Sequence, residues 1–125
     1  MAMLENEKSM LVYGLNEEQI SDLQIMGVKL IVVKDEMVDM KIDDILSGLR
    51  FEIVNNKLDL QEQIIIFNNL PDEELKMMIG VVKGIVKNPI LAMVTESSRQ
   101  WEFINLAKHL IEERNWHMEH EKGKL

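Results

Sequence analysis

The chain has no cysteine. That excludes disulfides, a thiol nucleophile and cysteine-ligated zinc, and it is compatible with a reducing cytoplasm. No apolar run approaches the ~20 residues that a membrane helix needs. The first residues, MAMLENEKSM, lack a basic start followed by an apolar stretch, so no secretory signal is expected. No basic run resembles a nucleic-acid arm either. Lys34, Lys41, Arg50, Lys57, Lys76, Lys83 and Lys87 are scattered among acidic residues. The net charge is −8 at pH 7, which repels phosphate backbones and anionic lipid. Neither nucleic acid nor membrane is an expected partner.

What remains is an ordinary folding composition. Hydrophobic residues make up 46% of 125, and that length suits one α/β domain over residues 1–125. Residues 1–7 and 117–125 are polar and are expected to be flexible ends. Met10–Tyr13 is apolar and stops at Gly14, as a strand would. Asn16 can then cap a helix, with Gln19 at the return position of a capping box. Ile20, Leu23 and Met26 form its stripe, and Gly27 suits its end.

Val28–Val33 is a second β-branched run, placed at a sheet edge. Ile42, Ile45, Leu46 and Leu49 suggest a short helix. Residues 50–63 read as a loop with a short strand or helical turn. Ile64–Phe67 is the clearest buried strand. Pro71 fits the first turn of a helix, and Asp72, Glu73 and Glu74 put negative charge at its positive end. Its apolar face runs from Leu75 to Val86 and stops before Pro89. Ile90–Val94 is the last strand. Ser97 or Ser98 can cap a final helix through Trp101, Ile104, Ala107, Leu110 and Ile111. Met26, Met78 and Met93 sit at core-facing positions, Trp101 packs at the start of the last helix, and Trp116 is exposed.

Repeated strand-to-helix units predict a small doubly wound, mainly parallel sheet of about four strands with flanking helices, in a receiver- or flavodoxin-like layout. The strand order is expected to be 2-1-3-4, with Ile64–Phe67 and Ile90–Val94 as parallel neighbours in its inner half. No sequence repeat is visible.

Known chemistries find little support. A phosphate loop would place glycines and a Lys-Ser/Thr pair after the first strand, where Gly14-Leu15-Asn16-Glu17 stands. A dinucleotide fingerprint lacks its glycine triplet. A phospho-accepting receiver needs acidic residues where Leu15 and Asn16 lie, and an aspartate where Asn68 lies. Only Thr95 matches, so a silent relative is the most that layout allows. His117-Met118-Glu119-His120 has metal-like spacing but belongs to a terminal acidic segment, so no metal site or cofactor is expected. His109 has no obvious Ser, Cys or Asp partner. No catalytic residue is assigned. The candidate ligand rim is Asn16, Asn68, Asn69, Thr95, Glu96 and Ser97, which would converge at a topological switch point and hold a small polar ligand. Alternatively, each of them caps its own helix.

At Leu91, Ala92, Met93, Val94, Thr95 and Trp101 the chain resembles an uncharacterised family of small bacterial α/β domains, known as a domain of unknown function. The strand reads apolar-Ala-x-Val-Thr, then a polar turn, then Trp. Glu96 and Ser97-Ser98 depart from that family's turn. The resemblance implies the fold and a bacterial, cytoplasmic setting, and it transfers no activity. The expected function is a non-catalytic binding or protein-interaction domain that forms a homodimer. The alternative is a small-molecule sensor or enzyme using the polar rim.

Overall fold

The computed structural model describes residues 8–48 and 62–123. The reading of residues 1–7 as a flexible lead-in, and most of that of residues 50–63, lie outside these. The apolar runs become β1 (Ser9–Tyr13), β2 (Lys29–Val32), β3 (Ile64–Asn68) and β4 (Ile90–Met93). Between them come α1 (Glu17–Gln24), α2 (Ile42–Leu46), α3 (Asp72–Ile85) and α4 (Phe103–Gly123), with 3₁₀ turns at Asp35–Met37 and Ser98–Gln100.

Local chemistry sets these boundaries. β1 stops where Gly14 turns to φ +81°. The Asn16 side chain accepts the Gln19 amide at 2.8 Å, and the Gln19 side chain accepts the Asn16 amide at 3.0 Å. Two of the orphan donors at the start of α1 are thereby satisfied, as the spacing requires. Asp72, Glu73 and Glu74 fill the first turn of α3, where carboxylates oppose the positive helix end. Asn88, in the left-handed region at φ 53°, and Pro89 after it turn the chain from α3 into β4.

The strand order is β2-β1-β3-β4, as expected. β1 pairs with β2, and β3 with β4, in parallel. The central pair β1–β3 is antiparallel, with Leu11 opposite Ile66. The sheet is therefore mostly parallel, as expected, with its one antiparallel pair at the centre. A strand buried on both faces reads as the same apolar run in either direction, so the pattern carries no polarity. β2 lies at an edge as expected. β4 lies at the other edge, not in the inner half, and Met93 there is 50% exposed rather than core-facing.

Side-chain alternation sends the strands' residues into two cores. Leu11, Tyr13, Ile31, Ile64, Ile66 and Ile90 pack under α2 and α4, against Ile42, Ile45, Phe103 and Ala107. Met10, Val12, Ile65 and Phe67 pack under α1 and α3, against Leu23, Met78 and Val82. Each fully buried side chain of this size stabilises the fold by ~1.5–3 kcal/mol. The result is three layers, with two helices on each face of the sheet. Two further differences appear along α4. The helix continues through Gly123, past Trp116, where fraying is expected. Ser98 does not cap it but closes a turn with Thr95.

Candidate functional site

The antiparallel centre decides where the rim residues go. β1 and β2 end at one edge of the molecule, and β3 and β4 end at the opposite one. Asn16 stands at the first end. Asn68, Asn69, Thr95, Glu96 and Ser97 stand at the second. The structure brings those five to one end and leaves Asn16 apart, so no switch-point crevice joins the ends of β1 and β3.

At the first end, the Asn16 side chain is turned back onto α1 in its capping box. Gln63 donates to the Gln19 side chain at 2.8 Å and to the Gly14 carbonyl at 3.3 Å. The Tyr13 hydroxyl donates to Asp35 Oδ1 at 2.6 Å. This phenol–carboxylate bond was not anticipated. Its signal in the sequence is the single tyrosine, placed at a strand end just before a glycine, where a polar tip can reach the following rim while the ring packs inward.

At the second end, Asn68 is only 2% exposed and donates to Ser9 Oγ at 3.3 Å. It belongs to the β1–β3 seam rather than to an open pocket. Asn69 takes φ 58°, a conformation that Asn tolerates better than most residues. Thr95 Oγ1 accepts the Ser98 amide at 3.0 Å, and Ser98 Oγ accepts the Thr95 amide at 2.8 Å. These reciprocal bonds satisfy a turn that would otherwise leave two donors unpaired. Glu96 and Ser97 are exposed.

The two open depressions described lie elsewhere. One, of about 240 Å³, runs between β4 and α4 past Leu91, Leu110, Arg114 and His117. At its side the Arg114 guanidinium grips the Glu62 carboxylate through two bonds of 2.7 Å. That hydrogen bonding lowers the Glu62 pKa below its ordinary 4.5, with partial burial opposing and the arginine's charge assisting. The other, of about 510 Å³, is shallow and lies beside Lys41, Trp101, Glu102 and Asn105. Trp101 is 39% exposed, not buried, and its ring meets His109 edge-on at 5.4 Å. His109 itself contacts Glu113 at 2.7 Å. Neither depression is lined by a rim residue. Among the described residues no three His, Cys, Asp or Glu side chains converge on a metal position. No helix among them is long and apolar enough to cross a membrane.

The strand Ile90–Met93 and the polar turn stand where the resemblance places them, but Trp101 closes the 3₁₀ turn two residues ahead of α4 rather than lying on that helix. Residues 63–117 match the model of a family described as Domain of unknown function (DUF3783). The matched segment begins at the foot of β3, takes in α3, β4 and the Thr95–Ser98 turn, and ends within α4. The resemblance read at Leu91–Trp101 is borne out, and the family carries no assigned role. No curated protein and no solved structure matches the chain.

Proposed function

We propose that the chain is a non-catalytic binding module that works by protein association, with a second copy of itself as first partner. The observation that carries this reading is the direction of the polar strand-end side chains. The Asn16 side chain accepts the Gln19 amide and the Thr95 hydroxyl accepts the Ser98 amide, and Asn68 donates to Ser9. A ligand would have to displace these bonds and reproduce them, which weakens its net gain. Apolar surface, in contrast, is offered outward. Met77 on α3 is 57% exposed, and Trp116 and Met118 on the far half of α4 are 54% and 49% exposed. Exposed aromatic and methionine side chains of this kind suit contact surfaces.

Two measurements on the full chain test the reading. Light scattering across a concentration series should give a dimer mass that Trp116→Ala shifts toward monomer. A monomer that persists at high micromolar concentration counts against self-association. A thermal-shift screen of metabolites and nucleotides should leave the melting temperature unchanged, because only a ligand bound to the native state raises it. A saturable shift abolished by Thr95→Ala would favour the small-molecule reading instead.

A further inference from the structure

The order of elements in the chain runs through one series twice: strand, helix, strand, 3₁₀ turn, helix. The equivalence extends to single residues. β1 and β3 have five residues each, and β2 and β4 have four. Ser9 pairs with Lys29 in the first half, and Ile64 pairs with Ile90 in the second. Counting from those pairs, the left-handed residues match: Gly14 with Asn69 before the first helix, and Gly27 with Asn88 before the second strand. Val33 donates to the Val12 carbonyl at 2.8 Å, and Val94 donates to the Phe67 carbonyl at 2.8 Å.

The turns correspond as well. The Lys34 amide points at Met37 Sδ, and the Thr95 amide points at Ser98 Oγ. Met40 donates to Met37, and Trp101 donates to Ser98. Ile42 then opens α2, and Phe103 opens α4. Between the first and second strands the length differs because the helix has eight residues in one half and 14 in the other.

The halves also meet symmetrically. In the central antiparallel pair, Leu11 faces Ile66, while Ser9 faces Asn68 and Tyr13 faces Ile64. Each contact maps onto another when the halves are exchanged, so a pseudo-two-fold axis passes between Leu11 and Ile66. On the α2/α4 side, Lys41 faces Glu102 in an isolated antiparallel bridge. There Ile42 donates to the Trp101 carbonyl at 2.9 Å, and Phe103 donates to the Met40 carbonyl at 2.8 Å. These two bonds are again exchanged by the same axis. The family match covers one half of this arrangement.

We infer that residues 9–48 and 64–123 are two copies of one β-α-β-turn-α unit, and that the seam between them is a pairing surface whose partner, for either copy, is the other. A unit alone would leave an unpaired edge on its apolar central strand, β1 or β3, which invites another strand. The residues at the axis choose the partner. In a pairing of like with like, Lys41 would face lysine or Glu102 would face glutamate, and like charges directly opposite are unfavourable. Paired with each other, the two units place opposite charges there. Arg99 adds a contact from the second unit to Asp43 of the first, at 3.0 Å. The matched segment is therefore half of a fold, completed within the chain by a diverged copy of itself. This inference concerns the inner seam and stands independently of the outward surfaces proposed for association.

Hydrogen exchange of the full chain tests it, with Leu11→Ala and Ile66→Ala as paired variants. Each should accelerate exchange by a similar factor, ~10-fold or more, in all four strands. If Leu11→Ala leaves peptides of β3 and β4 at wild-type rates, the family segment is an autonomous domain and the inference fails. Leu11→Val and Ile66→Val give the same reading should the alanine variants not fold. The axis is tested separately by melting. Lys41→Glu should lower the melting temperature by about 2–5 °C, and adding Glu102→Lys should restore it. A reversed pair that melts no higher than Lys41→Glu alone overturns the assignment of partner choice to this bridge.

Discussion

Among the described glycines, Gly14 is the one at which an added side chain meets both an unfavourable φ and a backbone neighbour. Its φ of +81° is unfavourable for any side chain, and an added Cβ would collide with the Glu62 carbonyl. Gly27, at φ +80°, has open space where its Cβ would stand. Gly27→Ala should cost ~1–2 kcal/mol from backbone strain alone. Gly14→Ala should cost clearly more, because a backbone carbonyl must also move. Urea denaturation of the two variants compares them directly, and equal midpoints would contradict the predicted collision. Asn16→Ala removes a satisfied cap and should cost ~1 kcal/mol. Gly27 as a helix stop and the Asn16–Gln19 box were both legible in the sequence, since capping is a matter of a few neighbouring residues. The Glu62 contact was not, because it depends on a distant part of the chain.

Among the elements, β3 is the one whose apolar character was easiest to read and whose place matters most. Ile65 is fully buried between β1 and β4, under α1 and α3. Ile65→Asp should cost several kcal/mol, since a carboxylate there has no partner and no water. An unchanged denaturation midpoint would refute this. α4 shows what local patterning leaves out. Its first half is held by Phe103, Ile104, Leu106 and Ala107, and its next turn by the Arg114–Glu62 ion pair. Because the Glu62 pKa is depressed in the folded state, the pair contributes stability above the ordinary value of 4.5, and that contribution fades as acid protonates Glu62. Both groups are partly exposed, so the pair is worth at most ~1 kcal/mol. Arg114→Met should therefore reduce stability at neutral pH and make its further fall on acidification shallower. Parallel stability curves for the two proteins between about pH 6 and 3 would show that the pair contributes nothing.

At the scale of the whole molecule, the sequence revealed strand positions and order but not strand direction. The central run Ile64–Phe67 is equally apolar whether its neighbour runs with it or against it. Reversal of that one pairing separates Asn16 from Asn68 and Thr95, and with them the two halves of the imagined rim. The internal repeat is not visible in the sequence for a related reason. The copies share turn geometry and register, and Val33 and Val94 are the same residue type, yet Gly14 answers to Asn69, Met37 to Ser98 and Met40 to Trp101, so residue types diverge at the turns even where backbone roles are kept. The same reversal bears on phosphoryl transfer. A receiver gathers its magnesium carboxylates, its phosphate acceptor and its Ser/Thr at one end of a parallel sheet. Here Leu15 and Asn16 lie at the end opposite Asn68 and Thr95, and Asn68 is buried against Ser9. An amide is a poor nucleophile toward phosphorus and brings no charge to a hard cation. Treatment of the full chain with acetyl phosphate and magnesium should leave its intact mass unchanged at all times sampled. A phosphoryl adduct that maps to Thr95, Ser97 or Ser98 and grows with magnesium would show that the β3–β4 end is a reactive site after all. It would also mean that the Thr95–Ser98 turn opens in solution to expose its hydroxyls.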